Sequence, residues 1–175
     1  MSTDTKPRIG FIGLGLMGHG IAKNLVTKGY PLTVRVHRNR KPLEDLVAAG
    51  AKEVANDADV ARASDIVFLC VTGTPQVEMI VYGMNGLLSA AREGLIVVDT
   101  STAEPASTAA IRKDFSAKRA LFVDAPLART PVEAEQGRLN TMVGADDAVF
   151  AQLKPVLSAF CENVIHAGPP GHGTR

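Results

Sequence analysis

Short runs rich in apolar and β-branched residues punctuate this chain at 9–12, 32–36, 65–71, 95–99 and 120–124, and segments of helical spacing separate them. A short run that is apolar almost throughout suits a strand covered on both faces. The pattern predicts strands at those five places and further ones at 52–54, 139–143 and 163–166. It predicts helices up to Lys28, over 42–49, 57–63, 76–82, 105–117 and 146–160, with 72–75 as a loop. Pro105 falls in a first helical turn, where its missing N–H costs little. Helix and strand alternating in this way imply an α/β class with a mostly parallel sheet and helices on both faces.

The first unit carries the clearest chemistry. Ile9 to Ile12 runs into Gly13-Leu14-Gly15-Leu16-Met17-Gly18, a helical segment follows to Lys28, Gly29 closes it, and a second strand begins at Leu32. Strand, glycine turn, helix and strand in that order are the context a dinucleotide fingerprint needs. Gly13 permits the tight turn, Gly15 lets backbone approach a pyrophosphate, and Gly18 lets the helix lie on the first strand. The unpaired N–H groups at the helix start would receive the phosphates. The expected architecture is therefore a Rossmann-type, doubly wound sheet. Its ligand crevice lies at the carboxyl ends of the strands, at the loops after residues 12, 36, 71, 99 and 124.

Bulk properties narrow the class. The 175 residues suit one domain with a sizeable core; 46% hydrophobic and 21% charged content is ordinary for a soluble protein. A net charge of +1 gives no case for nucleic acid, and no apolar run approaches a membrane span. The leader MSTDTKP lacks the apolar region of a signal peptide, so a cytoplasmic location is expected. Cys70 reads as a buried reduced thiol, and His19, His37, His166 and His172 show no metal-ligand spacing. Residues 1–7 read as a disordered leader, 8–167 as the nucleotide-binding domain and 168–175 as the start of a junction.

Cofactor choice turns on the end of the second strand. A carboxylate there would hydrogen-bond a ribose 2′-OH and select NAD. The chain instead reads His37-Arg38-Asn39-Arg40-Lys41, with no acid before Glu44. A guanidinium pairs bidentately with a 2′-phosphate that a carboxylate would repel. NADP is therefore expected over NAD, with Arg38 as chief contact and Arg40 in reserve; the alternative is a solvated basic turn.

Several motifs in order resemble the β-hydroxyacid dehydrogenase family, which includes 3-hydroxyisobutyrate dehydrogenase and tartronate semialdehyde reductase. They are GLGLMG followed by Ala22, Asn24 and Leu25, then DTSTAEP at 99–105, DAPLARTPVEAEQGRLNTMVG at 124–144 and GPPGHG at 168–173. The resemblance implies that Val71, Thr72 and Gln76 line the nicotinamide side and that Thr102 contacts the cofactor. Ser101 and Glu104 also have the spacing of a capping box, a local role compatible with that one.

The family's substrate segment usually has a serine and two glycines where this chain has Ala128-Arg129-Thr130. That loses donors to a carboxylate and gains a planar fork for an anion. The Arg-Thr pair is similar to that of sulfolactaldehyde reductases, whose arginine faces a sulfonate. A small anionic β-hydroxy acid, with a second acid group or a sulfonate, is the expected substrate. The resemblance further implies a catalytic lysine and an all-helical domain beyond residue 175. No residue within the chain takes the acid–base role, since Lys118 and Lys154 read as solvated. The chain alone is then expected to be inactive, and the full-length protein a homo-oligomer. Rival readings are an imine reductase or 6-phosphogluconate dehydrogenase-like relative, and a non-catalytic NADP-binding assembly module.

Overall fold

A computed structural model describes residues 5–36 and 38–174, so His37 lies outside the described residues. The first half of the sheet is built from β1 (Ile9–Ile12), β2 (Leu32–Arg35), β3 (Lys52–Glu53), β4 (Ile66–Leu69), β5 (Ile96–Asp99) and β6 (Leu121–Asp124). These pair in parallel in the order β3-β2-β1-β4-β5-β6. Strand order reverses between β1 and β4, which opens the crevice at their carboxyl ends.

Alternate side chains of each strand enter two separate cores, as the period of a pleated strand requires. Ile9, Phe11, Ile66, Phe68, Ile96 and Val98 face one layer, with Ile21 and Leu25 of α1 (Gly18–Thr27) and Leu43 and Leu46 of α2 (Lys41–Ala48). Phe68 stands edge-on to Phe160 at 5.5 Å between ring centres there. Val67, Leu69 and Val97 face the other, against α3 (Asp57–Ala63), α4 (Thr74–Tyr82) and α5 (Pro105–Ser116). A sheet covered on both faces accounts for the near-continuous apolar runs. Among the described residues no helix is long and apolar enough to cross a membrane.

The second half departs from the simple alternation. β7 (Leu127–Ala128) and α6 (Pro131–Gln136) fall where the pattern predicts neither strand nor helix. β7 continues the line of β6, and both pair antiparallel with β8 (Leu139–Gly144). After α7 (Asp147–Leu157), β9 (Cys161–Gly168) runs parallel to β8 and is longer than the 163–166 expected. Thr74 and Pro75 open α4 and are not loop, because proline suits a first helical turn.

α6 has local causes at both of its ends. The Thr130 side chain accepts from the Val132 N–H, and Glu133 reaches back to the Thr130 N–H at 2.9 Å, which forms a capping box. Gly137 ends the helix in the left-handed region at φ +69°. α6 then lies against α1 so closely that a β-carbon on Gly20 would come within 2.8 Å of the Glu135 nitrogen. Asn24 Nδ2 ties the two helices by donating to the Gly20 and Ala134 carbonyls, each at 2.9 Å. The segment at 128–130 is thereby fixed relative to the helix that begins at the glycine turn.

Candidate functional site

The three fingerprint glycines meet three different surroundings. Gly13 has φ +106°, and a β-carbon on it would overlap the Cys70 carbonyl oxygen at the end of β4. A β-carbon on Gly18 would overlap the carbonyl of Gly13 itself. Gly15 has nothing within 4 Å of where its β-carbon would stand. The first two therefore close the turn against the sheet, while the third faces open space in the crevice. α1 begins at Gly18 after Met17, with no side-chain cap and no acidic residue in its first turn. Its positive end is left to an outside anion. Leu14 is buried beneath the turn, whereas Leu16 is 84% exposed and Met17 half-buried above it.

The basic cluster after β2 does not act as one patch. Arg35 is committed to Asp57 at 2.9 Å, and Arg40 forks onto the two oxygens of Glu53 at 3.1 and 3.2 Å. Arg40 is thus turned to β3, where its exposed guanidinium faces a carboxylate of the chain. Asn39 Oδ1 accepts from the Lys41 N–H at 3.1 Å, so its side chain helps to start α2. Arg38 is exposed and, among the described residues, has no hydrogen-bond or ion-pair partner. It is left available for a phosphate.

Opposite, the ends of β4 and β5 are stitched together. The Val71 N–H donates to Ser101 Oγ at 2.9 Å, and the Ser101 N–H donates to Asp99 Oδ1 at 2.9 Å. The expected capping box at Ser101 and Glu104 does not form. Glu104 is the N-cap of α5 without a side-chain bond, and its own N–H donates to Thr74 Oγ1 at 2.9 Å. Buried Ser101 instead sets the course of Val71 and Thr72. A β-carbon on Gly73 would lie 3.8 Å from the Thr102 carbonyl and 3.9 Å from Gln76 Oε1, so the exposed Thr102 and Gln76 both border that glycine.

Burial raises the Asp99 carboxyl from 3.8 to about 6, and neighbouring Asp124 adds to the rise. Burial likewise pushes the Cys70 thiol up to about 11, so it stays protonated and unreactive at neutral pH. Because folding raises the Asp99 value, the folded state holds the extra proton between pH 4 and 6, and stability falls as pH rises through that window. Asp99→Asn removes this penalty. The stability difference between Asp99→Asn and the parent should widen by about 2–3 kcal/mol from pH 4 to pH 7. Urea unfolding at both pH values checks it; a difference independent of pH would refute the burial of a charge there. The comparison cancels the acids held low by arginine, hydroxyl or lysine partners, Asp65, Glu133, Glu135 and Glu162, whose slope has the opposite sign.

Residues 128–130, the segment in which substrate contacts are expected, follow the carboxyl end of β6. Ala128 pairs with Asn140, and Thr130 is occupied by the capping box of α6. Arg129 does not face the crevice. Its guanidinium crosses β8 to Glu162 of β9 and to the Arg138 carbonyl, 2.7 Å away. Sequence reasoning also passed over Asp124. Its buried carboxylate accepts from the Gly171 N–H at 2.8 Å, the Thr174 N–H at 3.1 Å and Arg112 at 3.4 Å, so it anchors the GPPGHG loop at the end of β6. The acid that opens DAPLART, at the end of an apolar strand, was the available signal.

The sheet order and the glycine turn define an NAD(P)-binding domain of Rossmann type. Over residues 8–168 the chain matches the NAD binding domain of 6-phosphogluconate dehydrogenase, and it belongs to that family, in its β-hydroxyacid dehydrogenase branch. It is 40% identical over 167 residues to 2-(hydroxymethyl)glutarate dehydrogenase of Eubacterium barkeri, covering 95% of this chain and 55% of that one. It is 36% identical over 167 residues to 2-hydroxy-3-oxopropionate reductase of Escherichia coli strain K12, covering 95% and 56%. Among solved structures, Psf3 in complex with NADP+ and 2-OPP superposes with a TM-score of 0.88 at 30% identity, covering 95% of this chain and 58% of that chain. The chain thus spans a little over half the length of the curated relatives it matches.

Proposed function

We propose that this chain is the NADP-binding part of an oxidoreductase that reversibly oxidises a small anionic β-hydroxy acid to its semialdehyde. The observation that carries this reading is the pairing of two features at one crevice: an uncapped, acid-free start of α1 behind Gly15, and, after β2, an exposed Arg38 without a partner among the described residues. When bound, the nicotinamide supplies the hydride acceptor, which no side chain can. The chain's own residues bind and orient. Gly13 to Gly18 would hold the pyrophosphate, with Leu16 and Met17 covering it. Arg38 would fork onto the 2′-phosphate, with His37 and Asn39 beside it. Val71, Thr72, Gln76 and Thr102 would flank the nicotinamide.

Ala128, Arg129 and Thr130 would meet the substrate's acid groups, with Arg129 selecting a second carboxylate or a sulfonate. A 40%-identical relative named for 2-(hydroxymethyl)glutarate, a diacid, supports that choice. No lysine among the described residues is assigned an acid–base role, and residues 1–175 are read as inactive alone. Two free cysteines fit the cytoplasm, and the full-length protein is read as a homo-oligomer.

Coenzyme titration of the 175-residue chain tests the reading. NADPH should bind about ten- to a hundredfold more tightly than NADH, and Arg38→Ala should erase most of that gap by weakening NADPH alone. Equal affinities in the parent would overturn the NADP assignment.

A further inference from the structure

Arg129 stands in a backbone conformation that favours glycine. Its φ is +93°, in a region that side chains with a β-carbon rarely occupy. What offsets the strain is visible at the other end of the side chain. Nη1 donates to the carboxylate of Glu162 and to the Arg138 carbonyl at 2.7 Å. Arg138 reaches the other oxygen of Glu162 at 3.4 Å. The hydrogen bond from Arg129, with the nearby charges of Arg138 and Arg129, holds the Glu162 carboxyl below the usual range, so it is ionised at neutral pH.

β8 lies between β7 and β9, so this contact draws the guanidinium over the outer strands and away from the β1–β4 crevice. The side chain of Arg129 is 31% exposed and that of Glu162 is 40% exposed. Water competes for such a pair, and it exchanges cheaply for another anion. A tightly buried pair would not do so.

We propose that Glu162 is a specificity-setting residue that positions Arg129: its carboxylate holds Nη1 of the guanidinium in place of a substrate's second acid group, and that group must displace it to bind. The idea rests on the assignment of Arg129 to substrate given above. A β-hydroxy acid with one carboxylate has no second group to take the place of Glu162. A substrate with a sulfonate or second carboxylate does. Glu162 thereby lowers affinity for the second kind and leaves the first unchanged.

The test is titration of the NADP-loaded chain with sulfolactate and with 3-hydroxyisobutyrate, followed by NMR at the Arg129 Nε–H and at the amides of 128–130. Parent, Glu162→Gln and Arg129→Gly are compared; the substituted side chains are exposed or half-exposed, so the fold survives. Glu162→Gln should bind sulfolactate about three- to fivefold more tightly, the factor an exposed ion pair can supply, with 3-hydroxyisobutyrate unaffected. A merely structural contact would not split the two ligands. Unchanged sulfolactate affinity in Glu162→Gln, alongside weakened binding in Arg129→Gly, overturns the role of Glu162 and leaves that of Arg129 standing. Sulfolactate binding that Arg129→Gly does not alter, or no response in any of the three proteins, overturns both.

Discussion

Gly15→Ala should leave the fold intact and weaken NADPH binding at least about tenfold. The two halves of that expectation have separate causes. Nothing of the protein lies within 4 Å of the added methyl, and Gly15 is not among the glycines with positive φ, so alanine meets neither a clash nor strain. The space it fills is the space in front of the α1 N-terminus, where phosphate oxygens must come within hydrogen-bond reach of backbone N–H groups. A methyl group there holds them off, and the charge-assisted bonds lengthen or are lost. Thermal unfolding matched to the parent, with a raised Kd for NADPH by calorimetry, is the expected pair of results. A lowered Tm would mean that Gly15 serves packing instead.

Gly13→Ala should do the reverse. Its methyl would meet the carbonyl oxygen of Cys70, a residue tied to β1 by its N–H donating to the Ile12 carbonyl at 3.0 Å, and its φ of +106° is unsuited to any side chain. Neither the turn nor the strand can yield without disturbing the centre of the sheet. A cost of about 3–5 kcal/mol follows, enough to lower Tm by roughly 10 °C in a chain of this size. Circular dichroism melts of the two alanine variants, side by side, separate a glycine kept for folding from one kept for binding. Equal melts would remove the distinction.

These contrasts also show how far the residues alone can be read. The strands of the parallel half were legible because each is buried on both faces and apolar almost throughout, and the glycine turn because its three positions have distinct steric causes. β7 and α6 were not, since a strand of two residues and a helix of six repeat no period long enough to register. Their signal was local: Thr130-Pro131 with Glu133 opens a helix and Gly137 closes one.

Charged side chains were the harder part. Arg38 and Arg40 look alike along the chain, yet Glu53 takes one and leaves the other. Arg129 is bound by Glu162, 33 residues away, and Gly20 matters because α6 lands on it. Such partners are set by topology, and no short window of residues contains them. Ser101 is a related case: the capping-box spacing was present, but the Glu104 N–H donates to Thr74 at the start of α4, and the serine hydroxyl accepts from Val71.

Docking of a 2′-phosphorylated dinucleotide on the β1–α1 turn is the claim on which the functional reading stands. Its most direct test is an NMR titration of the 175-residue chain with NADPH, read at the backbone amides of 13–18. Saturable shifts at Gly15, Leu16 and Met17, joined by the Arg38 side-chain signal with NADPH and not with NADH, are expected. Amides there that stay unmoved at millimolar coenzyme, or that move while Arg38 responds alike to both coenzymes, would contradict it.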